Sequence, residues 1–172
     1  MTEIIRAANS GFCFGVRRAI KKTEEQIKEN IEGRKILTMG QLIHNSLVTD
    51  KLAEKGVTII DSLDEACADD IIIVRSHGEG MDFWQEAKRR DLNVVDATCP
   101  FVGKIHRLVY EASSEGYNIV IVGNEDHPEV KGIKGWCAGK ASVVDSAEKA
   151  GRLDGNDFFI VCQTTIKKEL LE

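Results

Sequence analysis

Asp70-Ile71-Ile72-Ile73-Val74-Arg75-Ser76-His77 reads as a short strand, apolar at four consecutive positions, that ends on polar residues and a histidine. An apolar run without alternation suits a strand covered on both faces, the usual condition in a parallel sheet. Working outward, similar runs occur at residues 4–8, 36–39, 57–60, 94–96, 119–122, 142–144 and 158–161. Helical periodicity fills the gaps. Val16, Ala19, Ile20, Ile27 and Ile31 mark one apolar face, and Phe101, Ile105, Leu108, Val109 and Ala112 mark another. Strands alternating with helices predict an α/β fold with mainly parallel sheets.

The opening stretch recurs as Asp157-Phe158-Phe159-Ile160-Val161-Cys162-Gln163-Thr164, and it is one part of a longer internal repeat. Cys13-Phe14-Gly15-Val16 is echoed by Cys99-Pro100-Phe101-Val102, and residues 57–62 are echoed by 141–146. Gly40 and Gly123 each close an apolar run, with His44 and His127 four residues beyond. The offsets stay nearly constant: 86 residues from Cys13 to Cys99, 83 from His44 to His127 and 87 from His77 to Thr164. Two copies of one α/β unit account for this, divided at 1–98 and 99–172. The repeat also predicts a third unit beyond Glu172, with a third cysteine near position 185, so that two of an expected three units are present. On that reading the 172-residue chain alone holds no complete metal cluster and does not turn over substrate.

Composition narrows the function classes. The chain is 42% hydrophobic and 30% charged, enough for a packed core and unlike a disordered chain. A net charge of -5 argues against a nucleic-acid partner, and no apolar run reaches the ~20 residues of a membrane span. Residues 1–8 carry Glu3 and no long apolar stretch, which is not a secretory pattern. Five cysteines with no Cys-x-x-Cys pair indicate a reducing, cytoplasmic setting rather than a disulfide scaffold. Cys67, Cys137 and Cys162 read as structural. Lys21, Lys22 and Lys28 read as an ordinary exposed face, and His106 as a solvated helix residue.

The repeat sorts the remaining polar residues. Strand ends at the carboxyl side of a parallel sheet are where ligands bind, so Cys13, Cys99, His44, His77, His127 and Thr164 are expected on one rim. A zinc site prefers four ligands including a close pair, which the spacing does not provide. A single Cys–His nucleophile would leave the second cysteine redundant. Three cysteines from three related units would suit an iron–sulfur cluster held at three corners, its fourth iron open to substrate. Histidines beside it suit an anion, and Glu129 is the carboxylate placed to supply protons there. Gly11-Phe12-Cys13-Phe14-Gly15 lacks the glycine pattern of a dinucleotide fold and the Gly-Lys-Ser/Thr ending of a P-loop. His77-Gly78-Glu79-Gly80 has no nucleophile elbow to accompany it. Two readings stay open beside the cluster: a thiol-dependent hydrolase or transferase using Cys13 or Cys99, and a non-catalytic binding module of the same fold.

Six segments stand out in order along the chain: Gly11-Phe12-Cys13-Phe14-Gly15-Val16, His44-Asn45-x-x-Val48, Ser76-His77-Gly78, Asp96-Ala97-Thr98-Cys99-Pro100-Phe101-Val102, His127-Pro128-Glu129-Val130 and Gln163-Thr164-Thr165. In these segments the chain closely resembles the 4-hydroxy-3-methylbut-2-enyl diphosphate reductase (LytB/IspH) family. The resemblance implies three similar α/β domains around a 4Fe-4S cluster, with Cys13 and Cys99 as two of its three thiolate ligands. It implies that His44, His77 and His127 grip the substrate diphosphate and that Glu129 heads proton delivery. Thr164 would contact the substrate and orient its hydroxyl. The implied reaction is reductive dehydroxylation to isopentenyl and dimethylallyl diphosphate in the methylerythritol phosphate pathway, with electrons from ferredoxin or flavodoxin. Phe14 stands where the family often has a small residue, and Arg75 adds positive charge beside the expected diphosphate site.

Overall fold

The computed structural model describes residues 3–5, 7, 8, 10–139 and 141–167. A four-stranded sheet has the order β2-β1-β3-β4, with β1 at Ile36–Met39, β2 at Val57–Ile60, β3 at Ile71–Val74 and β4 at Asn93–Asp96. A three-stranded sheet has the order β6-β5-β7, with β5 at Asn118–Val122, β6 at Ala141–Val144 and β7 at Phe158–Cys162. Every pairing is parallel. The repeat is visible in the hydrogen bonds: Gly40 N–H donates to Ile60 O at 2.8 Å, and Gly123 N–H donates to Val144 O at 2.9 Å.

Helices cover both faces of the first sheet. On one side α1 (Phe14–Glu29) and α2 (Ser46–Glu54) pack Ala19 and Leu52 against Ile36, Val57, Ile71 and Ile73. On the other, α3 (Met81–Arg89) sets Ala87 and Phe83 against Leu37, Met39, Ile60 and Ile72. Since successive strand residues point to opposite faces, Ile71-Ile72-Ile73 feeds both cores at once. In the second sheet α4 (Pro100–Ser114) and α5 (Pro128–Lys134) cover Ile119, Ile121 and Val161. Val120, Val122 and Val144 on the far face pack with Leu153, Cys162 and Ile166, past the short α6 (Ala147–Ala150). Both prolines of the chain, Pro100 and Pro128, open a helix. Their fixed φ suits the first helical position, where a missing N–H costs nothing.

Several expectations are corrected. Among the described residues of the run 4–8 there is no strand; Ile4 and Ile5 are 92% and 82% exposed, with no ladder partner, and Arg6 lies outside the described residues. Ile31 is 94% exposed because α1 stops at Glu29, where the Asn30 side chain turns the chain by bonding the Arg34 backbone. Phe101 is also exposed; the buried stripe of α4 is Val102, His106, Val109 and Ala112. Continuous burial holds for β1 and β3, and for all of β5 but its first residue, whereas the edge strands β2, β4, β6 and β7 are only partly covered. Lys22 is more than a solvated face, since its Nζ donates to Asp96 O at 2.7 Å and ties α1 to the end of β4. By the repeat, residues 166–172 match the helix that follows His77; residues 166 and 167 are not helical and the rest lie outside the described residues.

Candidate functional site

Five of the seven candidate residues form one connected chain. His44 follows β1, His77 follows β3 and His127 follows β5, so three strand ends present three imidazoles. The ring centroids of His44 and His77 lie 4.6 Å apart, and His127 lies 5.6 Å from each. His127 is the N-cap of α5, and its Nδ1 accepts the Glu129 backbone N–H at 3.2 Å. A neutral ring that accepts at Nδ1 carries its proton on Nε2, so His127 offers an N–H donor on its other edge. Glu129 is 1% exposed. Its carboxylate accepts the Thr164 backbone N–H at 2.7 Å and the Thr164 Oγ1 hydroxyl at 2.8 Å.

The local sequence explains this placement. Gly40 is held at φ +62, and an added Cβ there would lie 2.7 Å from Arg75 Nη1, so the chain before His44 lies directly on the Arg75 side chain. Arg75 Nε in turn pairs with Glu79 at 2.8 Å, two residues past His77. Asn45 caps α2 by accepting Val48 N–H at 3.2 Å, which fixes the turn carrying His44.

Burial and neighbouring charge favour the uncharged form of two of the three imidazoles, His77 and His127. Burial, followed by the neighbouring charges of His44, His127 and Arg75, lowers the His77 pKa to about 4. His127 is also lowered, first by burial and then by His44 and Arg75, while Glu129 pulls it back up. Glu79 is raised by burial, with Arg75 opposing. An anion arriving at these rings would raise their proton affinity.

His106 corrects the expectation of a solvated helix residue. It is 4% exposed, and burial lowers its pKa to about 4 against the pull of Asp96. The missed signal was its phase: His106 falls four residues after Val102 and three before Val109, on the buried stripe of α4. His77 and His106 both bind a proton near pH 6.5 when unfolded and only near 4 when folded. Their linkage therefore leaves stability whole above pH 6.5 and erodes it as pH falls toward 4. Urea midpoints should drop steadily across that window; a flat profile would contradict the assignment.

Cys13 and Cys99 lie outside the histidine group, which is the set of His, Cys, Asp or Glu side chains that the described residues bring close enough to share an ion. Each is the N-cap of a long helix, α1 and α4, and neither side chain spends itself on a capping bond among the described residues. Helix N-termini favour negative charge, the charge a metal-bound thiolate carries. Cys99 N–H donates to Ser76 O at 2.9 Å, which sets it beside His77. Gly15, two residues past Cys13, faces the Cys99 side chain so closely that an added Cβ would lie 2.5 Å from Sγ. Two free thiols at helix N-termini, one of them facing the Gly15 cradle, are side chains that an iron–sulfur centre would take as ligands. A cleft of ≈ 520 Å³ opens at Cys99 past Trp84, Tyr110 and Trp136, and the three clustered histidines do not line it. Cys67 is exposed, while Cys137 and Cys162 are partly buried against the second sheet's cores. No helix among the described residues is long and apolar enough to cross a membrane.

Comparison with known proteins agrees with this geometry. The family model described as LytB protein matches residues 4–172. The 4-hydroxy-3-methylbut-2-enyl diphosphate reductase of Clostridioides difficile is 40% identical over 167 residues, covering 95% of this chain and 59% of that protein. The reductase of the same name from Geobacter metallireducens is 46% identical, covering 95% of this chain and 57% of its own length. The solved structure of the E-1-hydroxy-2-methyl-but-2-enyl-4-diphosphate reductase from Plasmodium falciparum superposes with a TM-score of 0.90 at 30% identity, over 95% of this chain and 52% of that one. The chain thus spans between half and three-fifths of these relatives. With the motif order, the parallel sheets and the match over nearly every residue in accord, the chain belongs to the LytB family.

Proposed function

We propose that this chain supplies the diphosphate grip, the proton path and two cluster ligands of a 4-hydroxy-3-methylbut-2-enyl diphosphate reductase. The observation that carries the reading is the grouping of three imidazoles beside Glu129, whose backbone N–H donates to His127 and whose carboxylate accepts from Thr164. His44, His77 and His127 bind and orient the substrate diphosphate. Thr164 positions the substrate hydroxyl, and Glu129, hydrogen-bonded to its Oγ1, delivers protons along that bond. Cys13 and Cys99 hold two corners of a 4Fe-4S cluster, which when bound supplies single electrons and a Lewis-acidic iron. Overall, two electrons and two protons enter, the allylic C–O bond breaks, water leaves, and isopentenyl or dimethylallyl diphosphate remains. Ferredoxin or flavodoxin provides the electrons in the cytoplasm. Two separate sheets with repeat-matched glycine bonds support units at 1–98 and 99–172.

The test is anaerobic iron and sulfide analysis, with turnover under reduced methyl viologen, on the protein as its natural reading frame encodes it. About four irons per chain and product formation are expected. Iron-free activity that alkylation abolishes would point instead to a thiol-dependent hydrolase or transferase. A companion variant leaves every ligand in place: Gly15→Ala puts a methyl into the space beside Cys99 Sγ. Its iron content should fall by half or more, and full occupancy would show that the cradle is slack.

A further inference from the structure

The buried imidazole of His106 has no role in the reaction outlined above, yet it stands between two segments that carry the anion site. Its Cε1 occupies the space a Gly78 Cβ would take, 2.5 Å from that position, with Thr98 Cγ2 at 3.0 Å on the same glycine. Gly78 directly follows His77 and is held at φ +76, so its backbone form and its missing side chain both serve this contact. The adjacent ring atom, His106 Nε2, lies 3.4 Å from the Cβ position of Gly132, in the helix that His127 caps. That Gly132 position is also 3.4 Å from His77 O and 3.5 Å from Gly78 O. The imidazole thus touches both the His77 turn and α5 and closes the edge of the contact where the two meet.

The seam continues beyond the ring. Trp136 stacks on His106 at 5.6 Å and 17°, and its Nε1 donates to Glu79 O at 2.8 Å. Met81 N–H donates to Gly135 O at 3.1 Å, where Gly80 and Gly135 meet backbone to backbone. His106 Nε2 is buried with no hydrogen-bond partner among the described residues. An aliphatic residue would avoid that cost, but it would not present a flat surface to two glycines and an indole.

We propose that His106 is a positioning residue that sets the spacing of His77 and His127 and, through it, the affinity of the trihistidine site for a diphosphate group. The proposal rests on reading that cluster as an anion site. Because His106 stays neutral near pH 7, it holds the spacing without adding a charge of its own.

The test is calorimetric titration of the full chain with inorganic pyrophosphate. His106→Ala should weaken binding about 10-fold, since small misplacements of binding groups are costly. Val109→Ala, a cavity on the same buried stripe of α4, should destabilise the fold and change affinity less than about 2-fold. His106→Phe keeps a flat ring and should restore affinity to within about 3-fold. Gly132→Val, whose branched side chain needs more room than the contact distances of 3.4 and 3.5 Å leave around a Cβ there, should weaken binding with His106 intact. Equal affinity in His106→Ala and Val109→Ala would overturn the proposal, as would unchanged affinity in Gly132→Val. If His106→Ala does not fold, the Phe and Gly132 variants decide. Absence of pyrophosphate binding in the unaltered chain would instead defeat the anion reading. In that case the positioning role is tested by imidazole NMR signals: those of His77 and His127 should move in His106→Ala and Gly132→Val but not in Val109→Ala, and unmoved signals would end it.

Discussion

Glu129→Gln should leave the fold nearly untouched and remove turnover. Glutamine retains an oxygen to accept the Thr164 N–H, and its amide can donate to Thr164 Oγ1 once that hydroxyl turns to act as acceptor. Melting should therefore shift by no more than about 1 kcal/mol of stability. An amide cannot hand a proton along that bond, so the steady-state rate should fall between about 10²- and 10⁴-fold, the usual weight of a positioned acid. Glu129→Ala separates the two effects. It leaves a buried void and strips both Thr164 donors of their partner, which should cost about 2–3 kcal/mol as well as the rate. A Gln variant that turned over normally would remove Glu129 from the proton path, whatever its structural worth.

Replacing Cys99 by serine should abolish stable cluster assembly in the protein as naturally encoded. Iron and sulfide should drop to background after anaerobic reconstitution, and the broad visible absorption should vanish, because a hydroxyl at this position does not replace a thiolate. Cys13→Ser should behave alike. Cys67→Ser, at an exposed position on the way into β3, should retain full iron and serves as the control. Pyrophosphate binding at the histidines should survive in both ligand variants, since neither thiol belongs to that group. Retention of iron in both ligand variants would remove the cysteines from the centre.

Much of this was legible in the sequence because the repeat imposes it. Gly40 and Gly123, then His44 and His127, recur at matched distances, and parallel strands send such positions to one edge of the fold. The central strands were readable for the same reason: Ile71–Val74 is apolar throughout and buried throughout. Edge strands misled, since β2 and β7 carry similar apolar residues but have a neighbour on one side only. Ile31 continued the period of α1 past its end at Glu29, whereas Phe101 lies one residue out of phase with the buried stripe that starts at Val102.

The sequence by itself determined the α/β class and displayed the internal repeat with the side chains at its matched positions, because periodicity and residue type are local properties. Only the tertiary structure decided what those residues do to one another. The Thr164 hydroxyl reaches a carboxylate 35 residues away, Arg75 lies on Gly40, and a histidine on the core face of α4 touches two glycines from different segments. Such contacts depend on how the two sheets and their helices pack, which no local spacing encodes. They set the proton positions and lowered pKa values of the site, because burial and neighbouring charge exist only once the chain has folded.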